Sequence, residues 1–332
     1  MEFKTLVYQF IYLATGCLST MITQYLFYAG AAEKKTYLTV LAQYFAMTLS
    51  VFIPVKDDSK KAKVSFFSKP THIKKNIVII SLIDIFANVI STFGMFLIGS
   101  GIYQVIHSAV VVFTALFSRF FLKKQFTPQQ WLSLLIITSG LSLSAIGRSS
   151  NATGVMGTIG ISITVFGTIC YAIIYVLNER ILKDEEGPTP TQHSVWVGTC
   201  SAAITFIYIL FFVFPQLDMK TSMANAPLYK NSPAVNIILA YTSLVLSHFL
   251  HSYTYFVLLG KSGAVTTGVI NSIRAVSVFF LSSALYCRDD ASQCFTRPKV
   301  ASCVVVVVGI LLYSLFSSKA QQQLKAKAKK SE

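Results

Sequence analysis

Seven polar side chains sit within runs of otherwise apolar residues: Asp84, Asn88, Tyr103, Gln104, His107, Asn271 and Arg274. Arg274 offers a planar fork of donors suited to phosphate or carboxylate. It lies about 17 Å into its run at 1.5 Å per residue. A lone guanidinium at that depth costs about 2.5–3.5 kcal/mol, so it must face a cavity or a partner. Asp84 could pair with Arg274, hold a cationic solute or carry a proton. Asn88 is one turn further along the same face. Tyr103 and Gln104 could stack on and hydrogen-bond a base or sugar, and Tyr171 and Tyr175, an i, i+4 pair on the sixth span, could line the same cavity. An imidazole ordinarily titrates near neutral pH, so His107, His248 and His251 could couple to protons.

These residues occupy matched places in the chain. Val105-Ile106-His107-Ser108 returns as Val269-Ile270-Asn271-Ser272, 164 positions later, and the same offset takes Gly99 to Gly263 and Asp84 to His248. Gly140 and Gly309 align at an offset of 169, so the second copy carries about five extra residues, in the loop at 287–295. Polar groups at matched depths in a duplicated apolar chain are the pattern of a secondary transporter with inverted repeats.

Composition requires a membrane. Charged residues make up 12% of the 332-residue chain and mean hydropathy is +0.61, whereas a soluble domain has about a quarter charged residues. Runs long enough to span a bilayer as helices fall at about 7–29, 37–54, 76–98, 101–122, 131–147, 155–177, 194–214, 235–259, 263–286 and 299–316. The expected fold is an all-α membrane protein of ten transmembrane helices in two inverted five-helix repeats. The first repeat spans 1–150 and the second 151–318, followed by a basic tail at 319–332. An odd number of helices per repeat inverts the second copy.

The net charge of +15 does not indicate nucleic acid, because its distribution follows the membrane. With ten spans, eighteen Lys and Arg fall on the side of both termini and eight on the other. The positive-inside rule then places both termini in the cytosol, with the lysine clusters against anionic lipid. Asn151-Ala152-Thr153 forms a glycosylation sequon on the opposite side. Cys287 and Cys294 share a loop on that side, either bridged in an oxidising lumen or as two free thiols. Lys329 and Lys330 stand at the dilysine positions of an endoplasmic-reticulum retrieval signal, an address for coat-protein recognition. No spacing of Cys and His suggests zinc, and no cofactor is expected. Neither paired Asp motifs nor a His-Glu-x-x-His helix supports an intramembrane enzyme, and no filter motif supports a channel.

Further residues carry a family resemblance. Tyr103-Gln104-Val105, Thr114-Ala115-Leu116-Phe117-Ser118, Leu122-Lys123-Lys124, Gln130-Trp131-Leu132 and Gly309-Ile310-Leu311-Leu312-Tyr313-Ser314 resemble the nucleotide-sugar transporters, solute carrier family 35 of the drug/metabolite transporter superfamily. Tyr8-Gln9, Thr15-Gly16, Asp84, Phe113-Thr114, Glu179-Arg180 and Asn271-Ser272-Ile273-Arg274 resemble its subfamily F and the chloroquine-resistance-transporter-like proteins. The resemblance implies an alternating-access antiporter of the endoplasmic reticulum or Golgi that exchanges a nucleotide sugar or related nucleotide. Many nucleotide-sugar transporters carry a Lys seven residues after that Tyr, where this chain has Val110. Val110, Asp84 and the histidines keep a second reading open, proton-coupled transport of a small amino-acid-like or cationic solute.

The charge asymmetry predicts that a tag on the tail is reached by antibody after selective permeabilisation of the plasma membrane. Changing Lys329 and Lys330 to Ser should shift the protein to later compartments in fluorescence microscopy. A protected tag would reverse the orientation.

Overall fold

A computed structural model describes residues 3–32, 36–53, 65–144 and 154–331, without the side chains of 96, 99–102, 104, 292 and 319–331. Asn151, and the lysines at 34, 35 and 56–63, lie outside the described residues, as do the side chains of Gln104, Lys329 and Lys330. Every regular element among the described residues is helical. The helices are α1 (Phe3–Tyr28), α2 (Leu38–Thr48), α3 (Thr71–Ser108), α4 (Val110–Phe121), α5 (Pro128–Leu143), α6 (Gly154–Lys183), α7 (Pro190–Tyr208), α8 (Met219–Ala224), α9 (Ala234–Ser262), α10 (Ala264–Tyr286) and α11 (Arg297–Ser331). Among the described residues, seven helices are long and apolar enough to cross a membrane, and Leu38–Phe52 and Val105–Phe121 are shorter apolar helices. α11 continues to Ser331, further than a polar tail led us to expect, because Ala, Gln and Lys are strong helix formers.

Local chemistry sets the helix boundaries. Thr127-Pro128 and Thr189-Pro190 each start a helix with a capping box: the Thr hydroxyl accepts from the backbone N–H of Gln130 or Gln192, whose side chain accepts from the Thr N–H. Proline at the first helical position loses no hydrogen bond there. Between α9 and α10 the backbone passes through Gly263 at φ 85°, a conformation other residues rarely adopt.

Contacts group the chain into two compact units that draw on both sequence halves. One comprises 1–86, 177–263 and 281–293; the other comprises 87–176, 264–280 and 294–332. In the first unit α1 packs on α9 and α2 on α7. Ser247 Oγ donates to the Thr15 carbonyl at 2.7 Å, and His251 Nδ1 donates to the Tyr12 carbonyl at 3.0 Å. Rising numbers on α1 meet falling numbers on α9, so the pair is antiparallel.

The second unit is built on a core of Val110, Val111 and Ala115 from α4, Leu134, Ile137 and Leu141 from α5, Val265, Val269 and Val276 from α10, and Cys303, Val306 and Tyr313 from α11. Gly94 lies against Thr164, Ile98 against Gly160, and Ser91 against Gly167, so this part of α3 runs antiparallel to α6. A straight helix would carry His107 about 14 Å past Ile98, away from Gly167. Yet the His107 ring meets Tyr171, one turn beyond Gly167. α3 therefore does not run straight between Ile98 and His107, where the expected spans 76–98 and 101–122 meet.

α5 and α11 make a reciprocal contact. A Cβ on Gly140 would lie 2.9 Å from the Val306 nitrogen, and one on Gly309 would lie 3.0 Å from the Ile137 nitrogen. Backbone cannot yield as a flexible side chain can. Gly140→Ala and Gly309→Ala should each destabilise the protein by about 1–3 kcal/mol through overpacking, with the double substitution costing less than the sum because the two share one contact. Gly260→Ala, whose Cβ would find its nearest neighbour at 3.9 Å, is the control and should be neutral in thermal unfolding of the detergent-solubilised protein.

Candidate functional site

The two units each hold some of the expected site residues. In the first, Asp84 accepts a hydrogen bond from Tyr44 Oη at 2.6 Å. Tyr44 is wholly buried on α2, so the phenol is fixed and aims one strong donor at the carboxylate. Asp84 faces neighbours from α2, a partner that sequence reading did not anticipate because a tyrosine in an apolar run carries no mark of its bond.

The second unit holds Asn88, Tyr103, His107, Asn271 and Arg274. Tyr103 and His107 are one turn apart, and their rings stack with centroids 5.3 Å apart at 10°. Tyr171 from α6 meets His107 edge-on at 5.4 Å and 88°. These three rings give a planar ligand one face and one edge to pack on. His107 Nδ1 is buried and has no hydrogen-bond partner among the described residues, an expensive state for a polar nitrogen. Ser108, the next residue, is anchored: its hydroxyl donates to the Val105 carbonyl at 2.7 Å and lies 3.5 Å from Ser142 Oγ on α5. Its repeat mate Ser272 donates to the Gly268 carbonyl at 3.3 Å.

Asn271 and Arg274 are half-buried on α10, and each is engaged by a neighbour. α10 shares the core of α4, the helix that begins just after His107. The Asn88 carbonyl accepts from Thr92 at 2.8 Å, and Asn88 is engaged by a further neighbour.

Several polar groups escaped the sequence reading. His193 was placed before the seventh span, at the edge of a loop. The capping box at Thr189 starts α7 earlier, and His193 becomes fully buried with Nε2 2.6 Å from Asn178 Oδ1. The repeated Thr-Pro-x-Gln pattern was the available signal. Glu179 is fully buried and pairs with Lys183 Nζ at 2.6 Å, one turn along α6. Lys69 Nζ is buried against the carbonyls of Glu186 and Gly187, at 2.9 and 3.2 Å.

The pattern described by the triose-phosphate transporter family matches residues 27–314. The chain belongs to that family. It is a transporter rather than an enzyme. It is 24% identical to UDP-xylose transporter 1 of Arabidopsis thaliana over 80% of this chain and 72% of that one. It is also 22% identical to probable purine permease 8 of the same plant, over 82% of this chain and 70% of that one. A solved crystal structure 13% identical in sequence shares the fold at a TM-score of 0.70, covering 96% of this chain and 99% of the other.

The Tyr44–Asp84 bond makes a prediction independent of substrate. Tyr44→Phe should cost about 2 kcal/mol, the range for a hydrogen bond to a charged group. In a cycle with Asp84→Asn, measured by thermal unfolding, the two losses should be strongly non-additive. Additive losses would mean that the phenol does not stabilise the carboxylate.

Proposed function

We propose that this family member is a secondary transporter that exchanges a nucleotide sugar of the UDP-xylose kind, or a related nucleotide, by alternating access. The observation that carries the reading is the Tyr103–His107–Tyr171 ring cluster around a buried imidazole nitrogen that lacks a partner. A nucleobase supplies both things such a site needs, a flat face and a hydrogen-bonding edge. The two relatives named above have in their substrates' names a nucleotide sugar and a purine, which share a planar heterocycle. Asn271 and Arg274 then serve the polar part, with Arg274 taking the phosphates. Asn88 and Gln104 complete the proposed contacts.

The proposed architecture is ten spanning helices in two inverted repeats. Its support is an exchange of partners. Helix one of the first repeat packs on helix three of the second, as α1 on α9. Helix one of the second packs on helix three of the first, as α6 on α3. The fifth helices meet each other reciprocally: the offset of 169 turns Gly140 into Gly309 and Ile137 into Val306, so one contact maps onto the other. Such an isologous contact between antiparallel helices is what a two-fold axis produces. The proposed setting is the endoplasmic reticulum or Golgi, with cytosolic termini, lipid around the spans and coat proteins reading Lys329 and Lys330.

The second reading, proton-coupled transport of a small cationic or amino-acid-like solute, draws on Asp84, a carboxylate on α3 that accepts from the Tyr44 phenol. Purified protein in vesicles preloaded with UMP separates the two. Uptake of radiolabelled UDP-xylose that depends on the preload supports exchange. Uptake of a cationic amino acid driven by an imposed pH gradient, with UDP-xylose ignored, overturns it. Under exchange, Arg274→Ala should lower uptake at least a hundredfold while leaving expression intact, and Arg274→Lys should recover little because it lacks the planar fork.

A further inference from the structure

We propose that the loop between α10 and α11 is a redox-controlled latch: its disulfide holds two aspartates where they fasten the end of α1 to the segment before α9. Four of the six cysteines are free, and Cys287 and Cys294 are both disulfide-bonded, so they bridge each other. The bridge encloses Asp289 and Asp290 within the stretch by which the second repeat exceeds the first. The inserted residues thus carry a device that the other repeat lacks.

The bonds of the latch run in both directions around one tyrosine. Tyr28 Oη, on the last residue of α1, donates to Asp290 Oδ2 at 2.6 Å. The Tyr28 carbonyl accepts from the backbone N–H groups of Leu228 and Tyr229, at 3.2 and 3.0 Å. Tyr229 Oη in turn donates to Asp289 Oδ2 at 2.9 Å. Tyr286 Oη, from the end of α10, donates to the Met21 carbonyl two turns back on α1 at 2.7 Å. The rings of Tyr25, Tyr28, Tyr229 and Tyr286 pack on one another with centroids 5.3–6.1 Å apart. Burial, and then its bond to Asp289, push the Tyr229 phenol up to about 12, so it remains a donor throughout the physiological range.

The Asp289 and Asp290 N–H groups bond to the Tyr286 carbonyl at 3.1 and 2.8 Å, and Gln293 folds back on Asp290. A covalent closure over so short a stretch removes much of the loop's freedom. Reduction by a dithiol puts two electrons into the sulfur–sulfur bond, leaves one thiol on Cys287 and one on Cys294, and converts the dithiol to its own disulfide. The loop then regains its freedom, and both carboxylates can leave their phenols for water. By the charge distribution this loop faces away from the cytosol, where disulfides persist. The latch is set in an oxidising compartment and released in a reducing one. Release frees the end of α1.

Hydrogen–deuterium exchange on the full-length protein in detergent, with and without dithiothreitol, tests this without a substrate. Reduction should speed exchange at Leu228 and Tyr229 and across Ala29–Ala32 about tenfold, the factor expected for losing one hydrogen bond to a charged group. Exchange within α5 should not change. Tyr28→Phe should reproduce part of the effect under oxidising conditions. Cys287→Ser with Cys294→Ser should exchange fast in either condition. If reduction leaves Leu228 and Tyr229 as protected as before, or speeds every helix equally, the loop is not a latch. Should the double Ser variant fail to fold, the dithiothreitol and Tyr28→Phe arms still decide the matter.

Discussion

Inside a bilayer a polar side chain has two ways to avoid an unsatisfied bond: turn back on its own helix or reach another. Most hydroxyls here turn back. Thr20 donates to the Gly16 carbonyl, Ser81 to Ile77, Thr114 to Val110, Ser133 to Gln129 and Thr168 to Thr164. Each is satisfied locally and constrains no neighbour. A smaller set reaches across: Tyr44 to Asp84, Ser247 to Thr15, His251 to Tyr12, His193 to Asn178. These bonds set which helices of the first unit face each other and in what register. His107 does neither through Nδ1. Among the described residues it shares that state with six other buried side-chain atoms, His193 Nδ1 one of them, and differs from them in lying between the rings of Tyr103 and Tyr171.

Close approach does the rest. Lipid tails are as apolar as leucine, so helices in a membrane gain little from hiding apolar surface and associate by fitting backbone to backbone. The glycines that allow it lie where helices cross. Gly140 and Gly309 serve α5 and α11, Gly94, Gly160 and Gly167 serve α3 and α6, and Gly198 serves α2 and α7. These same crossings relate the two halves of the sequence. The proposed exchange of helices between repeats would make each compact unit take segments from both halves, and each does.

Much of this was legible in the sequence because apolar length and matched offsets survive without any knowledge of contacts. The all-helical class and the matched tetrapeptides at 105–108 and 269–272 came from such patterns, and the family from the resemblance of motifs such as Tyr103-Gln104-Val105. Two kinds of feature did not. Bonds that depend on which face of a helix meets which neighbour, such as Tyr44 to Asp84, need the packing first. Boundaries set by caps were also misplaced: Thr189 with Gln192 starts α7 early enough to bury His193. Apolar length alone had put that histidine in a loop. The bridge between Cys287 and Cys294 was one of two open readings, since loop spacing permits a disulfide without requiring one.

The offset of 164 joins two observations that looked unrelated. Val110 stands where many nucleotide-sugar transporters have an intramembrane lysine, and Val110 plus the offset is Arg274. Val110 is packed in the core of the second unit with Val269 and Val276, which leaves no room for a charge at that position. Arg274 is half-exposed on the partner helix. The proposed two-fold axis would make positions 110 and 274 equivalent with respect to a ligand lying on it. A cation at 274 in place of one at 110 would then keep the charge available to that ligand while reversing the side from which it acts. The change from Lys to Arg also replaces a point charge with a fork that fixes the orientation of a phosphate. A site built this way would grip its anion from the second repeat, and its aromatic contacts from the first repeat and α6 would take the base.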